Sequence, residues 1–362
     1  MVNGGFHKVH KLGKCTVLVG AALTLGFETG AISPKSVEAA TIVLNQTGFT
    51  GEALDALNFG VDVWSRYLNS PVPIRITATF NPSDPNNLGS ASATSYQTGF
   101  TGGMSGLNYA VALANAISGT DLDPTQDDIT MNFNSARSDW YFGTDPNAKQ
   151  PEQSDFISTV VHEIAHGLGF SGTAEYDTET GIGTLGANAN LGSDPNGLPD
   201  IYDRFVVNGS GENITQFPNN SVELGNQLIS NNLFFNGPNA IAANGGTLPR
   251  LHAPTTWEPG SSYAHLDQDT YDVAGSLNAD MIPRDATEAQ PIRIPGPITL
   301  GVFRDQGWSV NVNGVPPTQV PFNFSPTLGL LLVGVGGAAS KLKKHWKQKK
   351  SIKSIEPLQK SA

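Results

Sequence analysis

Twelve residues constrain this chain more than any others: Thr159-Val160-Val161-His162-Glu163-Ile164-Ala165-His166-Gly167-Leu168-Gly169-Phe170. Phe156, Ile157, Val160, Val161, Ile164, Ala165 and Leu168 recur at helical spacing, which predicts a buried helix. On that helix His162 and His166 stand about 40° apart on one face. Two imidazoles so placed reach one metal ion, while Glu163, one step round, points at a water beside it. Gly169 falls where such a helix has to stop, because glycine accepts the left-handed geometry of an abrupt end. A stop there turns the chain so that a third ligand can approach. The plain alternative is a core helix with two hydrogen-bonded histidines, since a bare His-Glu-x-x-His arises by chance.

Around this helix the sequence alternates helix and strand signals. Ala53 to Trp64 has helical apolar spacing that runs on to Leu68, and Tyr109 to Ile117 reads as a second helix. Pro73 to Phe80 and Asp128 to Asn134 alternate with period two and read as strands. The Gly/Ser/Asn-rich stretch from Asn81 to Gly106 reads mostly as loop. Trp140, Tyr141 and Phe142 are read as core aromatics beneath the helix, without a catalytic role. From Ser171 to about Gly260 periodicity is weak and Gly, Asn, Pro and Asp dominate. Within it Asp194-Pro195-Asn196-Gly197-Leu198-Pro199-Asp200 has the acidic, Gly-turned look of a calcium (Ca2+) loop. It lacks the bidentate acid at the final position, so a solvated turn is the favoured reading. Asn45, Asn208, Asn213 and Asn219 stand in glycosylation-type triplets, which carry little weight.

The two ends of the chain differ from its body. Residues 1–40 hold four Lys and two acids, and residues 341–362 hold eight Lys and one acid. Of 21 basic and 32 acidic residues, 41–340 therefore keep nine and twenty-nine, a net of −20. A body so acidic excludes nucleic acid and anionic lipid as charge-driven partners. Lys8, Lys11 and Lys14 precede an apolar run from Cys15 to Phe27 that is short for a membrane span, and Val37-Glu38-Ala39-Ala40 offers a small-residue cleavage site. Residues 1–40 thus read as a secretory signal peptide. The only cysteine, Cys15, lies inside it, so a mature chain would have no disulfide and no thiol chemistry. At the other end a linker over 312–323 leads to an apolar span over 324–340 and a basic tail over 341–362. That order suits a membrane anchor whose lysines stay cytoplasmic. The tail resembles the bacterial sorting tails of the Pro-Glu-Pro type, departing from the tripeptide at Phe322 and Asn323.

Three further segments complete the pattern: Pro259 to Asp267 with His265, Leu277 to Pro283 with Met281, and Thr299 to Trp308, which reads as a final helix. With these the chain resembles the metzincin zinc peptidases, and within that clan the leishmanolysin-type branch and its bacterial relatives. That branch shares the His-Glu-x-x-His-x-x-Gly core, here His162 to Gly169, and delays its third histidine by a long insertion. A methionine turn and a closing helix ending in Asp-x-Gly-aromatic, here Asp305 to Trp308, then follow. The resemblance runs from about Ala40 to Val310 by order of elements and is specific at the metal core and the closing segment. The compact metzincin motif places its third histidine three residues after the glycine. Here that position is Gly172, which cannot ligate.

The resemblance implies an α+β fold, with an N-terminal twisted sheet and active-site helix over 41–170 and a loop-rich C-terminal subdomain over 171–311. It implies one catalytic zinc (Zn2+) held by His162, His166 and His265, with Glu163 as general base and Met281 in the methionine turn. Its substrate is an extended polypeptide laid along a sheet edge, though which strand is the edge does not follow from the sequence. The protein is expected to be a monomeric, exported, surface-anchored or released metalloendopeptidase. Downstream of Gly169 the histidines are His252, His265 and His345. His345 lies in the basic tail, and His265 stands closer to Met281 than His252 does. His252, Glu175 and Glu179 remain the alternatives for the third ligand. The rival reading from another class is a non-catalytic surface protein with a structural or vestigial zinc site, for which Glu163 has no use.

Overall fold

The period-two stretches pair into one four-stranded sheet. The structure, a computed structural model, describes residues 39–186, 197–287 and 290–314. Strands β1 (Ile42–Thr47), β2 (Ile74–Asn81), β3 (Gly89–Ala93) and β4 (Ile129–Asn134) lie in the spatial order β1-β2-β4-β3. β1, β2 and β4 run parallel, and β3 joins β4 antiparallel at one edge. Parallel neighbours need a crossover. Helix α1 (Gly51–Tyr67) carries the chain from β1 to β2, and α2 (Val111–Ser118) lies between β3 and β4. In β2 the alternation is direct: Ile74, Ile76 and Ala78 are buried and the residues between them are half-buried. The fold class is α+β.

The Asn81–Gly106 stretch departs from expectation, because β3 lies inside it. Its sequence, Gly-Ser-Ala-Ser-Ala, contains none of the β-branched or aromatic residues that favour strands. It is a strand because the open side of β4 offers it a ladder, pairing Gly89 with Phe133 through to Ala93 with Ile129.

Helix α3 (Phe156–Gly167) packs its apolar stripe between α1 and the sheet. Two glycines permit the approach. A Cβ at Gly60 of α1 would fall 2.5 Å from Val160 Cγ1, and one at Gly167 would run into Ile129. Trp64 of α1 donates its indole N–H to the Val161 carbonyl at 3.0 Å. Phe156 is the hub of an aromatic cluster, with ring centroids 5.0 Å from Trp140, 5.1 Å from Phe142 and 5.1 Å from Phe133. Trp140 and Phe142 do lie against the helix, at its first turn.

Both ends of α3 are fastened with the help of groups distant in sequence. Asp155 caps the N-terminus by accepting the Ser158 N–H at 2.8 Å. Its carboxylate is gripped by Arg293, whose Nε lies 3.0 and 3.1 Å from the two oxygens and whose Nη2 also donates to Oδ2. Arg293 spends its other donors on the Thr144 and Gly143 carbonyls at 2.7 and 2.9 Å. At the far end the closing helix α7 (Pro297–Gln306; the short helices α4, Val222–Leu228, α5, Pro238–Ala243, and α6, Gln268–Tyr271, precede it) and the turn just after it supply two donors. Gln306 donates to the Gly169 carbonyl at 2.8 Å and Trp308 to the Leu168 carbonyl at 3.0 Å. Asp305, beside them, caps α5 by accepting the Asn239 and Ala240 N–H groups.

The two ends of the described fold meet on one short strand. Leu68–Asn69 pairs with Ser309–Val310, the Ala40 N–H donates to the Leu68 carbonyl, and the Asn311 N–H donates to the Tyr67 carbonyl. The expected signal peptide through residue 38, residues 194–196 of the suspected calcium loop, the rest of the expected linker from 315, the apolar stretch over 324–340 and the basic tail lie outside the described residues. Among the described residues no helix is long and apolar enough to cross a membrane.

Asp155 and Arg293 are 2% and 9% exposed, so removing one partner strands a buried charge at the start of α3. Arg293→Leu is expected to cost about 3–5 kcal/mol, read as the unfolding free energy in urea. Arg293→Lys, which keeps the charge but not the fork, should recover only part of it. A loss below about 1 kcal/mol for Arg293→Leu would show that the cap does not depend on the arginine.

Candidate metal centre

The end of α3 sets the first candidate ligand. Gly169 takes φ +112°, the Phe170 N–H donates to the Ala165 carbonyl at 2.9 Å, and the Gly169 N–H to the His166 carbonyl at 3.0 Å. These are the two bonds of a Schellman stop. The reversal brings the Phe170 carbonyl within 2.7 Å of His166 Nδ1. His162, one turn earlier, has its Nδ1 2.7 Å from the Asp280 carbonyl, beside Met281. His265 Nδ1 lies 2.8 Å from the Ser261 carbonyl in its own loop.

A carbonyl oxygen only accepts, so each Nδ1 must carry the proton, and in a neutral imidazole Nε2 is then a bare acceptor. The three Nε2 atoms face one another: 3.0 Å between His162 and His166, 3.1 Å between His162 and His265, and 3.2 Å between His166 and His265. Burial holds the rings neutral. It pushes His162 down to about 4, lowers His166 to about 3 with help from His162, and takes His265 well below its ordinary value. Three lone pairs at such distances repel unless a cation lies among them. Nitrogens about 2.0–2.1 Å from a tetrahedral ion stand roughly 3.3–3.4 Å apart, within a few tenths of an ångström of this triangle. The donor set and its spacing fit zinc.

Glu163 follows His162 on α3 and is not one of the three side chains of the triangle. It is 6% exposed, and burial alone pushes its carboxyl up to about 8. A divalent cation nearby opposes that shift by favouring the carboxylate. The Glu163 side chain runs beside the edge strand: a Cβ at Gly89 would fall 3.4 Å from Glu163 Cγ. β3 is therefore the sheet edge next to this site. Met281 is fully buried in the turn Ala279–Met281, and its carbonyl accepts the Leu266 N–H at 2.8 Å, next to His265.

The alternatives for the third ligand have other positions. His252 Nε2 is 3.1 Å from Glu258, which Arg284 also holds at 2.8 Å. The backbone of His252 pairs with the His265 loop, since its N–H donates to the His265 carbonyl and its carbonyl accepts the Tyr263 N–H. Glu175 is half-buried in a hairpin with Gly183–Thr184, and Glu179 is exposed in the turn beyond it. Among the described residues the His162, His166 and His265 group is the one cluster of three or more such side chains close enough to share an ion. Asp200 corrects the expected solvated turn. It is 1% exposed, drawn inward by a bridge to Asn108, and its carboxylate accepts the Tyr202 N–H at 2.8 Å.

Sequence reasoning passed over the Phe170, Asp280 and Ser261 carbonyls that orient the rings, because a backbone carbonyl has no residue signature. Gln306 and Asp203 carry no sequence signal either, because each acts through a partner far along the chain.

A family model described as SPBPB7E8-like matches residues 116–184, a window that spans β4 and α3 with both helical histidines. A comparison with curated proteins finds no match.

His265→Ala is expected to abolish binding of one zinc per chain, measured by metal analysis after dialysis. His252→Ala should keep the metal. The reverse pattern would move the third ligand to His252, and retention in both would return the glutamates to consideration.

Proposed function

We propose that this chain is a zinc-dependent metalloendopeptidase of metzincin type, closest in plan to the leishmanolysin-like branch. What carries the reading is the triangle of Nε2 atoms with fixed tautomers beside a buried glutamate that ligates nothing. A structural zinc site has four protein ligands and no use for such a group. Bound there, zinc supplies Lewis acidity, which lowers the pKa of water toward about 7 and polarises a carbonyl.

The chain's own residues do the rest. Glu163 takes a proton from the attacking water and hands it to the leaving amine. Its pocket at the foot of β3 shields that proton from bulk solvent. β3 ends the sheet, so its outer N–H and C=O groups are open to an extended peptide, which would add as a further strand. Gly89 keeps the strand free of a side chain where it passes Glu163. The Asp280 carbonyl holds His162 in place from the methionine turn.

We further propose that the enzyme is exported as a monomer and held at the cell surface, or released from it, through its C-terminal segment. Supporting this are the signal-like N-terminus, the apolar span and the basic tail.

Glu163→Gln should lower hydrolysis of an unstructured polypeptide by about 10²–10⁴-fold with zinc content unchanged. Chelation should silence the wild-type chain and added zinc restore it. A metal-replete Glu163→Gln that cleaves at the wild-type rate refutes the glutamate's role. A wild-type chain that binds zinc and cleaves nothing favours the non-catalytic reading. Deleting residues 321–362 should release folded, zinc-binding protein into the medium, and an insoluble product would assign that tail to the core.

A further inference from the structure

Two residues before His265 the backbone adopts a conformation that bulky residues avoid. Tyr263 sits at φ +75°, which persists in a non-glycine residue only where the surroundings over-determine it. Here they do. Its hydroxyl donates to Asp203 Oδ1 at 2.8 Å, its N–H donates to the His252 carbonyl at 2.7 Å, and its carbonyl accepts the Tyr202 hydroxyl at 3.2 Å. Asp203 is fully buried and accepts three more donors: the Thr173 N–H at 3.1 Å, the Thr173 hydroxyl at 2.5 Å and the Asp200 N–H at 2.7 Å. A buried carboxylate so completely satisfied is a rigid node.

The node connects the His265 loop to the segment leaving α3. His265 itself does not make that connection through its ring, because Ser261, which orients it, belongs to the same loop. That bond turns the imidazole relative to the loop but leaves the loop free relative to the helix. Thr173, by contrast, lies three residues after the carbonyl that orients His166. Between them Gly172, at φ +88°, forms the floor. A Cβ there would fall 2.5 Å from Tyr263 Cε1 and 2.7 Å from Asp203 Oδ1. The residue that cannot be a ligand is thus the one that leaves room for the ring near the ligand.

We propose that Tyr263 and Asp203, seated over the side-chain-free Gly172, are positioning residues that hold His265 in the metal triangle. The inference rests on the reading of that triangle as a zinc site. Ligand nitrogens have a tolerance of about 0.2 Å at a metal, and His265 is separated from His166 by 98 intervening residues. The node adds a fixture between them, beside the one that Asp280 and Met281 make from His162 to Leu266.

The test compares Tyr263→Phe and Gly172→Ala with Trp140→Phe in the intact chain. The last variant breaks a buried bond of Trp140 to the Asn134 carbonyl away from this loop. Zinc affinity is measured by competition with a chelator, and amide exchange of residues 261–266 is followed in the metal-free protein. Tyr263→Phe and Gly172→Ala are expected to weaken zinc binding about tenfold or more and to speed exchange in that segment. Trp140→Phe should lower the melting temperature while changing neither. Unchanged affinity and exchange in Tyr263→Phe overturn the proposal. Equal losses in Trp140→Phe overturn it too, by reducing the effect to general destabilisation. If the wild-type chain binds no zinc, the metal reading fails, and the exchange comparison still decides whether the node fixes the loop.

Discussion

Everything at this centre depends on three hydrogen bonds from imidazole Nδ1–H groups to backbone carbonyls. Each bond fixes a tautomer and a ring plane, so that three bare nitrogens converge and create a demand for a cation. The carbonyls come from three kinds of structure: the Schellman stop of α3, the turn at Ala279–Met281 and the His265 loop. The centre is accordingly only as well formed as the arrangement of those segments. This explains why so much buried polar bonding in the C-terminal half is directed back at α3.

Helix α3 is held like a beam fixed at both ends. Asp155 and Arg293 secure its start, and Trp308 and Gln306 satisfy carbonyls at its end. Each fastening draws on a side chain well over a hundred residues away, Arg293 at the start and Gln306 and Trp308 at the end. Between the ends, glycines on both sides allow backbone approach against α1 and β4, so the beam has little freedom to roll. A roll of even a few degrees would move both helical nitrogens relative to His265. The aromatic cluster around Phe156 adds non-directional burial at the same end as the Asp155 cap, where one layer of ring contacts joins helix, sheet and the Trp140–Phe142 segment.

The edge strand illustrates a different constraint. β3 has almost no side-chain volume and no strand propensity, yet it is the wall nearest Glu163. Its small residues keep the ladder to β4 intact while leaving the outer side unencumbered. A strand richer in Val or Ile would have been readable in the sequence and would also have presented bulky side chains beside the glutamate. The small side chains that hid β3 from sequence reasoning are the ones that let it lie close to Glu163.

The sequence by itself determined the elements whose signal is local. The apolar period of α3, the spacing of His162, Glu163 and His166, the stop at Gly169 and the alternating strands over Ile74–Asn81 and Ile129–Asn134 each follow from residues a few positions apart, because backbone geometry fixes which of them share a face. Order along the chain also favoured His265 over His252, though it gave no distance between His265 and the helix. Only tertiary structure decided which histidine turns inward, which strand forms the edge, and that Asp200 and Asp203 are interior. Those outcomes rest largely on partners that the chain brings together from far apart, as with His162 and the Asp280 carbonyl or Asp203 and the Tyr263 hydroxyl. A hydrogen bond is recorded in the positions of both partners, and the identity of either residue alone carries no trace of it.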